Sequence, residues 1–252
     1  MIKSHTERET SMTYSINIIH WFALAAGCST RQQWLDWAAA ETDDFYGDIA
    51  KYQKIPMMAA RRMSVPSRLA VESALQLIEA QDSAIDAAIF ISRHGELERT
   101  YKIVHSLAQQ NDLSPTDFAM SVHNTAAGLF TITAQQPLPI TSLAAGIDGF
   151  QQGMLEAQAM FANGAKRILL IDFDGLIPNA YHNAMENKPD DLCYAVGFII
   201  DGEQRLICRQ VEQDASLTPQ RLPQSLIFLR NWLNGKNQFV VQGVRSNWQW
   251  NL

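Results

Sequence analysis

Two aspartates stand in the middle of the segment Ile168–Pro178, which reads ILLIDFDGLIP. An apolar run ending in Asp172-Phe173-Asp174-Gly175 puts two carboxylates at the end of a buried strand. That pairing suits a covalent aspartyl phosphatase. The first Asp attacks phosphorus, the second works as acid/base, and Mg²⁺ neutralises the phosphate oxygens. Such a site also needs a Lys on the phosphate and further acidic residues for the metal, normally supplied by later strands. The next set here is Lys188, Asp190 and Asp191, with Lys188 only 14 positions beyond Asp174. That leaves no room for intervening strand–helix units. The motif also usually opens its domain, whereas at least three strands are expected before Asp172. Acidic residues that close a strand are often simply solvated, so phosphoryl transfer stands as an alternative.

Three other stretches carry chemistry-bearing residues. In Ser92–Thr100, SRHGELERT, Gly95 follows an apolar run and opens a helical pattern, with His94 beside it. An anion at a helix N-terminus would fit, but no glycine-rich nucleotide frame surrounds it, and a tight strand–helix turn explains it as well. Ser114–Ile132, SPTDFAMSVHNTAAGLFTI, sets His123-Asn124 before four small residues. By composition that density serves close packing, in a core or across a subunit interface. Cys28 lies among small residues in AAGCS, but no partner histidine is identifiable, and a structural role is the better reading.

The elements that must position these residues follow from periodicity. Ile16–Ala23 reads as a first strand, followed by an irregular aromatic-rich stretch from Trp34 to Pro56. Ser64 to Pro66 starts a helix with Val71, Ala74, Leu75 and Ile78 on one face. Ala87–Ser92 is a short buried strand, and Leu97, Tyr101, Val104 and Ala108 mark an amphipathic helix. Pro139–Ala145 is a strand, and a helix through Ile147, Phe150, Met154, Ala157 and Phe161 ends near Asn163-Gly164. After the strand RILLIDF, the runs CYAVGFII and RLICRQV flank Asp201-Gly202-Glu203-Gln204, a hairpin signal. Pro223–Gly235 is a helix candidate and QFVVQG a short strand, while Trp248 and Trp250 are expected to pack on something. Strand–helix alternation with a closing hairpin predicts an α/β layered domain with a mixed sheet.

Composition excludes several classes. Of the 252 residues, 47% are hydrophobic and 18% charged, a well-packed globular balance. The net charge of −6, with no compensating basic run, argues against nucleic acid as a partner. Cys28, Cys193 and Cys208 are odd in number and widely spaced, which predicts neither a disulfide framework nor a zinc site, and no metal or other cofactor is expected. No apolar run reaches the length of a membrane span. Ile16–Cys28 lacks the cationic leader of a signal peptide, since Glu7 and Glu9 precede it, so a cytoplasmic protein is expected. The residues before Met12 read as an extension or an alternative start.

Taken together, residues 12–211 resemble the N-terminal half of a β-ketoacyl synthase, a thiolase-fold condensing enzyme. Several stretches carry the likeness in the right order. IPMMAARRMSVPSRLAVESAL resembles the arginine-containing approach to the first long helix. IFISRHGEL sits at the glycine-rich strand–helix turn, and SPTDFAMSVHNTAAGLFTI resembles the segment before the nucleophile strand. ANGAKRILLIDFD resembles the stretch after the nucleophile helix, where the positions of Asp172 and Asp174 are usually small residues and glycines. The chain is most similar to short chain-length-factor-like proteins of aryl polyene and related pigment pathways.

The resemblance implies a thiolase-like mixed sheet layered with helices, in one half-domain (12–211) with a short extension (212–252). It also implies what is missing. The family's nucleophile turn reads Thr-Ala-Cys, two small residues and Gly. Here Thr141-Ser142-Leu143-Ala144-Ala145-Gly146 puts Leu143 at the nucleophile position, and a leucine cannot be acylated. The half that carries the two catalytic histidines is replaced by about forty residues. The expected role is therefore a non-catalytic partner of a full-length β-ketoacyl synthase. In that heterodimer it would shape the elongation tunnel and meet an acyl carrier protein through the complex. Phe118, Met120, His123 and Asn124 are the expected interface or tunnel contacts. A haloacid-dehalogenase-like phosphatase using Asp172 and Asp174, and a scaffold that only stabilises the synthase, are the alternatives.

Overall fold

The computed structural model describes residues 11–40, 42–183 and 192–252. One seven-stranded mixed sheet organises them. Strands β2 (Ala87–Ile91), β3 (Ile140–Leu143) and β4 (Arg167–Asp174) run parallel, β2 in the middle. Long β5 (Tyr194–Val211) lies antiparallel to β4, and β1 (Thr13–Ala25) antiparallel to β5. Two C-terminal strands, β6 (Gln238–Val241) and β7 (Asn247–Asn251), extend the sheet along the second half of β5. The order is β3-β2-β4-β5-β7-β6, which leaves β3 at one edge.

Both faces of the sheet are covered, as a parallel sheet core requires. Along β4, Ile168 and Leu170 enter one apolar cluster, and Leu169, Ile171 and Phe173 the other. On the second face lie α3 (Val65–Glu79) and α6 (Thr125–Ala134). Ser64 caps α3, its hydroxyl accepting the Ser67 amide at 3.3 Å, and Pro66 fits the first turn, where no intrahelical donor is needed. On the first face lie α7 (Gly149–Ala162) and α9 (Gln224–Leu233). Gly153 lets α7 ride directly on β2: a Cβ there would stand 2.3 Å from Ile91 Cδ1.

The structure corrects two expectations. The start of the supposedly irregular Trp34–Pro56 stretch lies within helix α1 (Arg31–Ala39). Thr30 and Gln33 form a reciprocal capping box there, and Trp34 and Trp37 turn into the core. The rest of that stretch is irregular apart from α2 (Met57–Ala60) beyond its end, and buried Glu72 holds it by accepting the amides of Gln53, Lys54 and Ile55. The expected hairpin at Asp201–Gln204 is instead an excursion within β5. Ile16 pairs with Leu206 and Asn17 with Asp201, so residues 202–205 loop out while the strand keeps its direction. Gly202 is not among the left-handed glycines, so the turn type that reverses a hairpin is absent.

Two helices between β2 and β3 stay open to solvent. Helix α4 (Leu97–Ala108) forms where expected, but none of its residues is buried, and Val104 and Leu107 are 52% and 57% exposed. Helix α5 (Pro115–Ala119) follows it. The tail tryptophans do pack: Trp250 lies edge-on to Phe228 of α9 at 4.7 Å and to Tyr14 of β1 at 5.8 Å. A short α8 (Asn179–His182) completes the described helices.

Candidate functional site

The parallel strands β2, β3 and β4 end together, and the residues singled out in the sequence gather at or near those ends. Leu143 is the last residue of β3, opposite Ile91 of β2. Its carbonyl accepts the Ser92 amide at 3.2 Å, and its half-buried side chain packs against the first core cluster. Beyond it, Gly146 takes a left-handed φ of +59° and a 3₁₀ turn, Gly146–Asp148, leads into α7. This is a sharp strand–turn–helix junction of the kind that presents a nucleophile. At residue 143 it presents a hydrocarbon.

No thiol substitutes for it. Cys28 is half-buried in the turn after β1, and Cys193 and Cys208 are buried. Burial pushes Cys193 and Cys208 up to about 12 and Cys28 above its ordinary value, the opposite of an activated thiolate. The N-terminus of α7 is engaged by the C-terminal segment. Gln224 Oε1 accepts the Gln151 amide at 3.3 Å, and Gln224 Nε2 donates to Asp148 Oδ1 at 3.1 Å. Asp148 also accepts the Val244 amide at 2.9 Å. One amide of that N-terminus, that of Gln151, is thus tied to the tail.

Asp174, at the end of β4, braces the turn after β2. Its Oδ1 accepts from Ser92 Oγ at 2.7 Å and from the His94 amide at 2.9 Å, and its Oδ2 from the Arg93 amide at 3.1 Å. Ser92 Oγ in turn accepts the Gly95 amide at 2.6 Å, where Gly95 has φ +55°. His123 supports the same turn, its Nε2 lying 2.9 Å from the Ser92 carbonyl. Of the other expected contacts, Met120 packs against the second core cluster, Asn124 sits exposed at the N-cap of α6, and Phe118 projects from α5. His123 and Met120 therefore face inward, and Phe118 and Asn124 face out.

Asp172 has a different setting. Only 5% exposed, it accepts from Tyr194 Oη at 3.2 Å. Burial, helped by the neighbouring Asp174, raises its carboxyl to about 7, although the hydroxyls of Ser225 and Tyr194 act the other way. An attacking aspartate must be ionised, and below neutral pH Asp172 is not. Asp174 has committed both oxygens. The phosphatase alternative therefore finds no nucleophile and no free acid/base at this pair. Its remaining members, Lys188, Asp190 and Asp191, lie outside the described residues.

Around Asp172 the strand ends enclose a cavity of about 160 Å³, lined also by Tyr194, Arg93, His94, Arg221 and Phe150. Sequence reasoning did not find it. Tyr194 and Arg221 stand in no motif, and only the fold brings the start of β5 and the segment before α9 against the end of β4.

Comparison with known proteins agrees with this geometry. The family model for the β-ketoacyl synthase N-terminal domain matches residues 34–251. A chain of the complex of ketosynthase ApeO with its chain length factor ApeC from Xenorhabdus doucetiae is 42% identical. The match covers 94% of this chain and 99% of that one, with a TM-score of 0.88. The ishigamide ketosynthase/chain length factor, at 14% identity and TM-score 0.60, is matched over 79% of this chain and 66% of its own. A β-ketoacyl synthase from Burkholderia phymatum STM815, also 14% identical, has a TM-score of 0.54 over 89% and 71% of the respective chains. These last two share the fold. No curated protein matches. With the parallel strands, the nucleophile-type junction and a family match over most of its length, the chain belongs to the β-ketoacyl synthase N-terminal domain family, with a thiolase-like fold.

Proposed function

We propose that the chain is a non-catalytic, chain-length-factor-like partner of a β-ketoacyl synthase. The observation that carries this is residue 143. On the family resemblance, the strand–turn–helix junction after β3 is where the condensing cysteine would stand; this chain has Leu143 at that strand end, and none of the three thiols lies there. Decarboxylative condensation needs a thiolate to carry the acyl chain and donors to stabilise the enolate. The thiolate has no residue to supply it at this junction. The 42% identical chain comes from a complex of a ketosynthase with its chain length factor, which supports pairing as the role such a chain retains.

The open surface fits a partner. Among the described residues strand β3 leaves one edge of the sheet without a neighbour, and α6 packs beside it with Ile132 75% exposed. Phe118, 67% exposed, and Val122 add apolar surface from the segment just before α6. In this role the pair is a pseudo-symmetric heterodimer. The chain contributes wall to the elongation tunnel, and an acyl carrier protein meets it through the complex. Three free cysteines go with a cytoplasmic site of action. Among the described residues no helix is long and apolar enough to cross a membrane.

Reconstituting the synthase and its carrier protein with and without this chain tests the role. The product length distribution is expected to change, or condensation to fail, when the chain is left out. Identical products and rates would overturn the proposal. A pure scaffold would instead restore the rate with the same product lengths whatever residues face the tunnel.

A further inference from the structure

The cavity beside Asp172 also touches the turn after β3, at Gly146, Ile147 and Gly149. It opens where β2 and β4 end and is bordered on the tail side by residues 220–224. Its lining sorts by chemistry. Ile91, Phe150, Ile177 and Leu222 are apolar and buried. Asp172 and Tyr194 are buried polar groups, joined at 3.2 Å. Arg93 and Arg221 are exposed cations, neither with an ion-pair partner among the described residues. The site thus has a cationic rim, an apolar body and a buried carboxyl–phenol pair.

Each part selects a ligand feature. Exposed guanidinium groups favour a carboxylate, with which they form charge-assisted hydrogen bonds. Tyr194 Oη donates to Asp172, so the buried pair, when Asp172 is protonated, keeps one O–H free to donate, and it suits a ligand acceptor that brings no charge into the interior. We propose that this cavity binds a short oxo-carboxylate, its carboxylate at Arg93 and Arg221 and its carbonyl at Asp172 and Tyr194. The volume admits a molecule of roughly eight non-hydrogen atoms, at the small end of ligand sites.

Six groups that can carry charge line the cavity: Arg93 and His94 from the turn after β2, Asp172 and Asp174 from β4, Tyr194 from β5, and Arg221 from the tail. Burial moves His94 down and Tyr194 well up, and it raises Asp172 to about 7, so Asp172 changes charge around neutral pH. Ionising it removes a donor and places a negative charge beside the carbonyl, so binding weakens as pH rises.

Calorimetric titration of the full chain, co-purified with its synthase if needed, tests this with 4-oxopentanoate as the probe. Pentanoate lacks the carbonyl, and 2-pentanone lacks the carboxylate. We expect 4-oxopentanoate to bind about tenfold more tightly at pH 6 than at pH 8.5. Arg221→Gln is expected to weaken it about tenfold, and Asp172→Asn to flatten the pH dependence. No binding by the folded chain at about 10 mM probe would overturn the site, since a ligand this size in a complementary cavity should bind at least that tightly. Pentanoate binding as tightly as 4-oxopentanoate would overturn the carbonyl assignment. Unchanged affinity in both Arg93→Gln and Arg221→Gln would overturn the rim. Because the cavity lies within this chain, its failure would leave the pairing role standing.

Discussion

At Asp172 the fold keeps a carboxyl group inside the protein, where the chain's relatives are expected to carry small residues. Burial is the leading cause of its elevated pKa, about 7, against 3.8 for an ordinary aspartate. Between those two values the native state holds a proton that the unfolded chain has lost, so stability falls as pH rises through that window. Below about pH 4 the contribution is fully present, and above about pH 7 it is gone and the curve flattens. Asp172→Asn removes this titration while keeping the shape and an acceptor for Tyr194. Urea melts of the variant are expected to lose most of the slope between pH 5 and 7. At pH 8 the variant should exceed the wild type by on the order of 1–3 kcal/mol. Equal slopes in the two proteins would show that another group sets the pH dependence. Asp174 makes the contrast: with the same side chain two residues earlier or later along β4, what differs is the neighbourhood. The Ser92 hydroxyl and two backbone amides of the Ser92–Gly95 turn satisfy Asp174, whereas Asp172 has the hydroxyls of Tyr194 and Ser225 and a cavity.

Among the elements, the contact between α7 and β2 is the tightest fit at the nucleophile-type junction. A methyl group on Gly153 would meet Ile91 Cδ1 at 2.3 Å and Leu170 Cδ1 at 3.5 Å. Gly153→Ala improves helix propensity by about 1 kcal/mol but must push α7 away from the sheet, and overpacking costs about 1–3 kcal/mol. The net expectation is destabilisation. Ile91→Val removes the offending Cδ1, so the double variant should recover part of the loss in a denaturation cycle, with a coupling of at least about 0.5 kcal/mol. Strict additivity would mean that the helix relaxes elsewhere. The same junction shows what a sequence can reveal. Helix α7 and strand β4 were legible because their apolar spacing matches their periods. Helix α1 was hidden by its aromatic residues, although Thr30-x-x-Gln33 is a capping box in plain view. The β5 excursion looked like a hairpin because Asp-Gly suggests reversal, and only pairing with β1 keeps the strand straight. The cavity was invisible for a deeper reason: it is assembled from strand ends and a tail segment more than 120 residues apart in sequence, from Arg93 to Arg221.

For the whole molecule, the uneven distribution of burial bears on the partner. The tail side of the sheet is sealed: α9, β6 and β7 bring Phe228, Phe239, Trp248 and Trp250 into the main core. The opposite end is not. Among the described residues β3, like β6 at the other edge, has one unpaired side, and α4, α5 and α6 carry apolar side chains in solvent, among them Phe118 and Ile132. A single chain leaves such an edge open only at the risk of aggregation, unless something covers it. If the synthase covers it, side chains there contribute binding energy without supporting the fold. Phe118→Ser and Ile132→Lys should therefore leave the melting temperature of the isolated chain nearly unchanged, since both side chains are more than 60% exposed. The same changes should weaken association with the synthase by 10-fold or more, about 1–3 kcal/mol for a central apolar contact, with a lysine at 132 costing most. Co-elution on size exclusion, followed by a titration for affinity, separates the two effects. An intact complex from both variants would move the interface elsewhere on the surface. A lowered melting temperature with unchanged affinity would assign these residues to the fold instead of the partner.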